Sequence, residues 1–140
     1  MGGEIWFRAR GHPNITATHK TTLMTTTEAH LTKRGSCIVA VEAELGLGGL
    51  PGWACEAAKS PETRITMVLE VEGLSFSCTG RGDPGLTYTH PRDMVARRSS
   101  YTCGRTLMVG ADKAAVDLPR EMLEALRRGA PVEVGLLYRV

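Results

Sequence analysis

The stretch Arg10–His19, RGHPNITATH, returns 71 residues later as RGDPGLTYTH, Arg81–His90, with six of ten positions identical and Leu86 in place of Ile15. No other feature constrains the fold as much, because self-similarity at a fixed offset points to one structural unit built twice. The flanks agree. Ile5, Phe7 and Ala9 stand where Phe76, Cys78 and Gly80 stand in the second copy, and both sets alternate as half-buried strands do. Downstream, Leu23 matches Met94, CIVAV from Cys37 answers TLMVG from Thr106, and Leu50-Pro51 answers Leu118-Pro119. A proline in a first helical turn loses no hydrogen bond, so each Leu-Pro marks a helix start. The second helix carries Met122, Ala125 and Leu126 at helical spacing before Gly129, whereas Gly52 weakens the first. Each half closes on an alternating strand, TRITMVLEV to Val71 and PVEVGLLYRV to Val140, and Glu72-Gly73 reads as a tight turn into LSFSCT.

The expected architecture is therefore mainly β with two short helices (α+β): two β-β-β-α-β repeats, 1–71 and 72–140. Strand-rich halves of that size leave edges and an apolar face exposed, so the repeats should pack about a pseudo-twofold axis as a single domain, a closed β-barrel or a β-sandwich.

Composition sets outer bounds. The chain of 140 residues is 42% apolar and 23% charged, ordinary for a globular domain large enough to bury a core. A net charge of +2 implies no polyanionic partner by itself. No run has the length of a signal peptide or a membrane span, which places the expected location in the cytoplasm, away from membranes. Cys37, Cys55, Cys78 and Cys103 never form CxxC, so buried free thiols are expected, with no zinc site and no cofactor.

The repeated segment holds the candidate site. Counted by twos after Pro13, Ile15, Ala17, His19, Thr21 and Leu23 share a face, as do Leu86, Tyr88, His90, Arg92 and Met94, which turns His19 and His90 inward. Inward histidines either satisfy a core or line a pocket near the dyad. His12 and Asp83 occupy matched loop positions and differ as an acid and a base would, while Arg10 and Arg81 either clamp a phosphate or carboxylate bidentately or pair with Asp83 or neighbouring Glu residues, structural pairing being the expected use. Gly11-x-Pro13 and Gly82-x-Pro84 are stiff turns, with glycine free to adopt positive φ. Arg92, Arg97, Arg98 and Arg105, with Lys33 and Arg34, form a basic set that could follow a phosphate backbone, although few aromatics are available for stacking. Asp112 and Lys113 follow a buried strand, and an ion pair to other neighbours is the expected use. GLGGLPG imitates a dinucleotide loop, but Pro51 replaces the third glycine and the chain cannot build the doubly wound sheet. RGD at 81–83 reads RGH in its counterpart, which removes the case for an adhesion motif.

RGHPNITATHKTTL, HLTKRGSCIV, THPRDMV and YTCGRTLMVGADKAAVDLPREM resemble an uncharacterised archaeal family, domain of unknown function 371. The resemblance spans nearly the whole chain and implies an archaeal cytoplasmic protein with a β-rich duplicated fold. It implies no activity, cofactor or catalytic residue. One departure stands out: VEAELGLGG occupies the first-half position where an ADKA-like segment is expected.

The leading expectation is a protein that binds a small ligand or anion, catalytic or not, at His12, His19, Asp83, His90, Arg10 and Arg81, with Arg92, Arg105, Asp112 and Lys113 as secondary candidates. The alternatives are a nucleic-acid-binding module using the basic set and a structural protein that forms homo-oligomers.

Overall fold

A computed structural model describes residues 2–140. In chain order it contains β1 (Gly2–Arg10), β2 (Thr22–Thr26), β3 (Ile38–Ala40), a 3-10 turn at Leu47–Gly49, α1 (Gly52–Ala58), β4 (Arg64–Val71), β5 (Leu74–Arg81), β6 (Asp93–Arg97), β7 (Thr106–Met108), a 3-10 turn at Ala115–Asp117, α2 (Arg120–Arg127) and β8 (Pro131–Arg139). The strands form two four-stranded sheets, β1-β8-β4-β5 and β3-β2-β6-β7. The expected closed barrel is overturned, because each sheet ends on two edge strands that do not pair with one another. Each sheet draws two strands from residues 1–71 and two from 72–140, and in the first sheet they interleave.

Alternation in the long strands makes the first sheet two-faced. Its register is Gly2↔Arg139 across β1/β8, Arg64↔Arg139 across β4/β8 and Arg64↔Arg81 across β4/β5. Ile65, Met67, Leu69, Phe76, Cys78, Val134, Leu136 and Tyr138 thus fall on one face, and all are buried. This face joins Leu23, Met94 and Leu107 of the second sheet and Met122, Ala125 and Leu126 of α2 in one apolar cluster. Burying side chains of this size stabilises by about 1.5–3 kcal/mol each, and that gain drives the sheets together. Trp53 of α1 meets Tyr138 of β8 edge to face at 5.6 Å. Beneath it the Tyr138 hydroxyl lies 3.0 Å from that of Tyr88, which donates to Leu107 O at 2.8 Å. Burial comes first among the causes that raise both phenols above their ordinary value.

The β4/β5 connection is a two-residue turn with Glu72 at φ 50° and Gly73 at φ 81°, the geometry that matches strand twist. Two edges carry built-in covers. On β5, Asp112 accepts from Thr79 N–H at 2.8 Å and Lys113 Nζ donates to Ser77 O at 2.8 Å. On β1, Glu44 accepts from Arg8 N–H at 2.7 Å, and its own N–H donates to Arg8 O at 2.9 Å. Asp112 and Lys113 therefore bond to backbone instead of forming the expected ion pairs. Leu45 holds the position of Lys113 in the VEAELGLGG segment, so β1 lacks the second tether.

Candidate anion site on the open sheet face

The repeated segment does not continue as a strand after its proline. Residues 12–21 are irregular, and Ala17 and Tyr88 take left-handed φ of 49° and 54°, which breaks the period of two before either histidine is reached. The cause is tertiary. His19 O accepts from Val116 N–H and His90 O from Gly48 N–H, so each segment is drawn onto the 3-10 turn of the other half.

His19 and His90 consequently lie half-buried at the surface. The antiparallel register Thr22↔Arg97 and Thr26↔Asp93 puts His19 beyond one end of the β2/β6 pair and His90 beyond the other. At about 3.4 Å per residue those ends are roughly 14 Å apart, so the imidazoles do not converge. Each ring has a local task. His19 Nδ1 accepts from Thr21 and Thr22 N–H at 3.2 and 3.1 Å, and His90 Nδ1 from Arg92 and Asp93 N–H at 3.2 and 3.0 Å. A nitrogen that accepts a backbone N–H carries no proton, which assigns the proton to Nε2 in both rings. His12 Nδ1 accepts from Asn14 N–H at 3.0 Å and Asp83 Oδ1 from Gly85 N–H at 2.8 Å. The two residues are unlike in charge but alike in closing their turns by an i to i+2 bond.

Gly11 and Gly82 are absent from the positive-φ glycines, which are Gly73, Gly110 and Gly129. Their value is close approach. A Cβ on Gly11 would overlap the Leu126 carbonyl at the end of α2, and one on Gly82 would overlap the Ala58 and Ser60 carbonyls at the end of α1. Gly82 and Asp83 N–H donate to Thr63 O and Ala58 O at 3.0 and 2.8 Å, while Gly11 N–H donates to Ala130 O at 2.8 Å.

The basic set of the second half is largely engaged. Arg92 meets Glu28 at 3.0 Å, Arg105 meets Asp93 at 2.9 Å, Arg98 meets Asp117 at 3.8 Å, and Arg97 lies over the Tyr101 ring. Asp93 is a buried carboxylate that sequence reading passes over. Thr26 donates to it at 2.7 Å, and His90 Nε2 stands 3.8 Å away, so His90 and Arg105 do come together, around a satisfied structural acid. Arg97 and the Thr106 hydroxyl also reach Cys103 Sγ, at 3.5 and 3.6 Å. Burial works to raise the Cys103 pKa, but these bonds and the Arg105 N–H outweigh it and hold the thiol below its ordinary value. Cys78 is the buried thiol, pushed up to about 11 by burial, whereas Cys37, Cys55 and Cys103 are only half-buried; all four are unpaired. Among the described residues no three His, Cys, Asp or Glu converge as metal ligands would, and no helix is long and apolar enough to cross a membrane.

Arg10 and Arg81 end their strands at opposite ends of the first sheet. Arg10 lines a cleft with Arg8, Glu42 and Glu133, where Arg8 and Glu133 pair at 3.6 Å. Arg81 belongs to a different arrangement. On the outward face of the sheet, Arg139, Arg64 and Arg81 stand side by side in register on β8, β4 and β5. Like charges directly opposite on neighbouring strands are unfavourable, with side chains about 5 Å apart at Cβ. Among the described residues Arg64 and Arg139 have no ion-pair partner, and Arg81 has only Asp83 at 3.8 Å. The next row holds Thr66 and Thr79, whose hydroxyls lie 2.9 Å apart. Glu62, Arg64, Thr79, Arg81, Gly110 and Asp112 line a cleft of about 400 Å³ here, in which the Asp112 carboxylate is already bonded to Thr79 N–H. Sequence reading found Arg81 but not Arg64 or Arg139.

These features define a mainly β, two-sheet protein with one solvent-facing sheet surface that carries a row of three arginines, of which only Arg81 has an ion-pair partner among the described residues. Residues 7–139 match the family model described as "Domain of unknown function (DUF371)", and the chain belongs to that family. It is 40% identical over 126 residues to an uncharacterised protein of Methanocaldococcus jannaschii, covering 90% of this chain and 93% of the relative.

Proposed function

We propose that this protein binds a small phosphate- or carboxylate-bearing ligand in the Arg81 cleft, with Arg64 opposing Arg81 and the Thr79 hydroxyl beside them. The observation that carries the reading is the direct Arg64↔Arg81 pairing, in which Arg64 has no ion-pair partner among the described residues and Arg81 has only Asp83 at 3.8 Å. An anion that accepts from both converts a repulsive pair into a charge-assisted clamp. The histidines have no part in it, since they lie beyond the ends of β2 and β6 in the other sheet and neither lines the cleft.

With this reading go an origin of the chain by duplication of one β-β-β-α-β unit, the two halves folding as a single domain, and a cytoplasmic location. The matched turn bonds of His12 and Asp83 support the first, and the interleaved strands support the second. Four unpaired thiols suit a reducing compartment.

Thermal-shift and calorimetric titration with inorganic phosphate, pyrophosphate and citrate test the anion site. A ligand at a hundred times its Kd adds about 2.7 kcal/mol, a rise of roughly 8 °C for a domain of this size. The response should vanish in Arg81→Gln and persist in a His19→Ala/His90→Ala protein. A wild type indifferent to all three anions refutes the reading.

A further inference from the structure

The outward face of the first sheet reads as a grid whose columns are β1, β8, β4 and β5. Its first row is Gly2, Arg139, Arg64 and Arg81, and its last is Arg8, Glu133, Glu70 and Ser75. Between them lie a row of Glu4, Leu137, Thr66 and Thr79 and a row of Trp6, Gly135, Val68 and Ser77. One end of the face carries three arginines, the other Glu70 and Glu133 with Arg8, which pairs with Glu133 at 3.6 Å, and the middle sets Leu137, Trp6 and Val68 among Glu4, Thr66, Thr79 and Ser77. Trp6 is 43% exposed there, its ring lying across Gly135, where a Cβ would strike it, and its indole N–H donating to Glu4 at 2.9 Å.

We propose that this face is covered by the same face of a second copy of the chain, turned by a twofold axis that lies in the interface and runs perpendicular to the strands. That axis keeps each column over itself and reverses the rows. Arg139 then stands over Glu133 of the second copy and Arg64 over Glu70, each contact made twice, while Leu137 packs on the Trp6 ring that lies across Gly135. A twofold along the strands would stack arginine on arginine, so charge selects the first arrangement. Face-to-face sheets pack about 10 Å apart and nearly aligned, a separation that side chains of this length span. Four strands at about 4.8 Å spacing and about 30 Å of strand length present roughly 600 Å² per copy, and the pair reaches the lower bound of stable interfaces. Arg81 falls over Ser75 and outside the ion pairs, but Arg64 is shared with the anion cleft, so a bound anion competes with the Arg64–Glu70 contact and the two proposals are told apart at Arg81.

Sedimentation equilibrium and light scattering on the full chain test the dimer. The wild type should show twice the 15.1 kDa monomer mass at micromolar concentration. Glu70→Arg/Glu133→Arg should weaken association by about a hundredfold or more, as should Arg64→Glu/Arg139→Glu, because each doubly charged face now repels itself. All four side chains are exposed, and circular dichroism checks that the folds are intact. The decisive result comes on mixing: the two monomeric variants, one with its carboxylate end reversed and one with its arginine end reversed, should form a heterodimer. A wild type that stays monomeric at 100-fold higher concentration overturns the proposal. Charge-reversed variants that dimerise as well as wild type, or that fail to associate on mixing, overturn it too. Arg81→Gln should dimerise normally while losing the anion response, which separates failure of one proposal from failure of the other.

Discussion

Gly82→Ala probes how the two halves are joined. The Gly82 peptide lies against the last carbonyls of α1, with the added Cβ directed into Ala58 O and Ser60 O. Neither is a side-chain end that can swing away, so the turn must lift off the helix. Overpacking of this kind costs about 1–3 kcal/mol, and lifting the turn weakens Gly82 N–H to Thr63 O and Asp83 N–H to Ala58 O, worth about 1 kcal/mol each. The sum is about 3–5 kcal/mol, a fall in Tm of roughly 10 °C or more at about 3 °C per kcal/mol. Gly52→Ala is the matched control. Nothing lies within 4 Å of the place its methyl would take and its φ is ordinary, so restricting the unfolded chain should stabilise by about 0.5 kcal/mol. Differential scanning calorimetry reads both. A Gly82→Ala protein melting within about 2 °C of wild type refutes the close-approach account.

The thiols should separate kinetically. Iodoacetamide near pH 8 should modify Cys103 well before Cys78, whose pKa is pushed up to about 11, and Arg97→Gln should slow Cys103 several-fold, as peptide mapping would show. Alkali should unfold the protein through Tyr88 and Tyr138. Their folded pKa values are raised, so the unfolded chain binds fewer protons above pH 10, and stability present below that pH is lost at about 1.4 kcal/mol per pH unit for each phenol. Cys78 adds a third such group, so Tyr138→Phe should lower the slope by roughly a third in denaturant titrations between pH 10 and 11. Asp112→Ala removes the acceptor on Thr79 N–H and bares the β5 edge; light scattering on mild heating should show earlier aggregation than in wild type.

The long strands were legible because β4 and β8 alternate strictly and bury one face, and the Glu72-Gly73 turn because only a few residues suit a two-residue hairpin. That turn also fixes Arg64 opposite Arg81, so two of the three arginines in the row lay within reach of sequence reasoning once the hairpin was accepted. Arg139 did not, because the β4/β8 register pairs residues more than sixty positions apart and no local signal sets it. The TATH segments misled for a related reason. Their period of two is real in the sequence, but backbone bonds from Val116 and Gly48 pull the chain off the strand path, and left-handed Ala17 and Tyr88 carry the bend. The difference between His12 and Asp83 looked chemical because the residues differ in charge, yet both serve as acceptors for the same turn.

Backbone amide NMR during a pyrophosphate titration tests the anion site most directly. The account predicts saturable shifts at Thr79, Gly80, Arg81 and Gly110 that disappear in Arg81→Gln. Shifts centred on His19 and His90, or none anywhere at millimolar ligand, would contradict it.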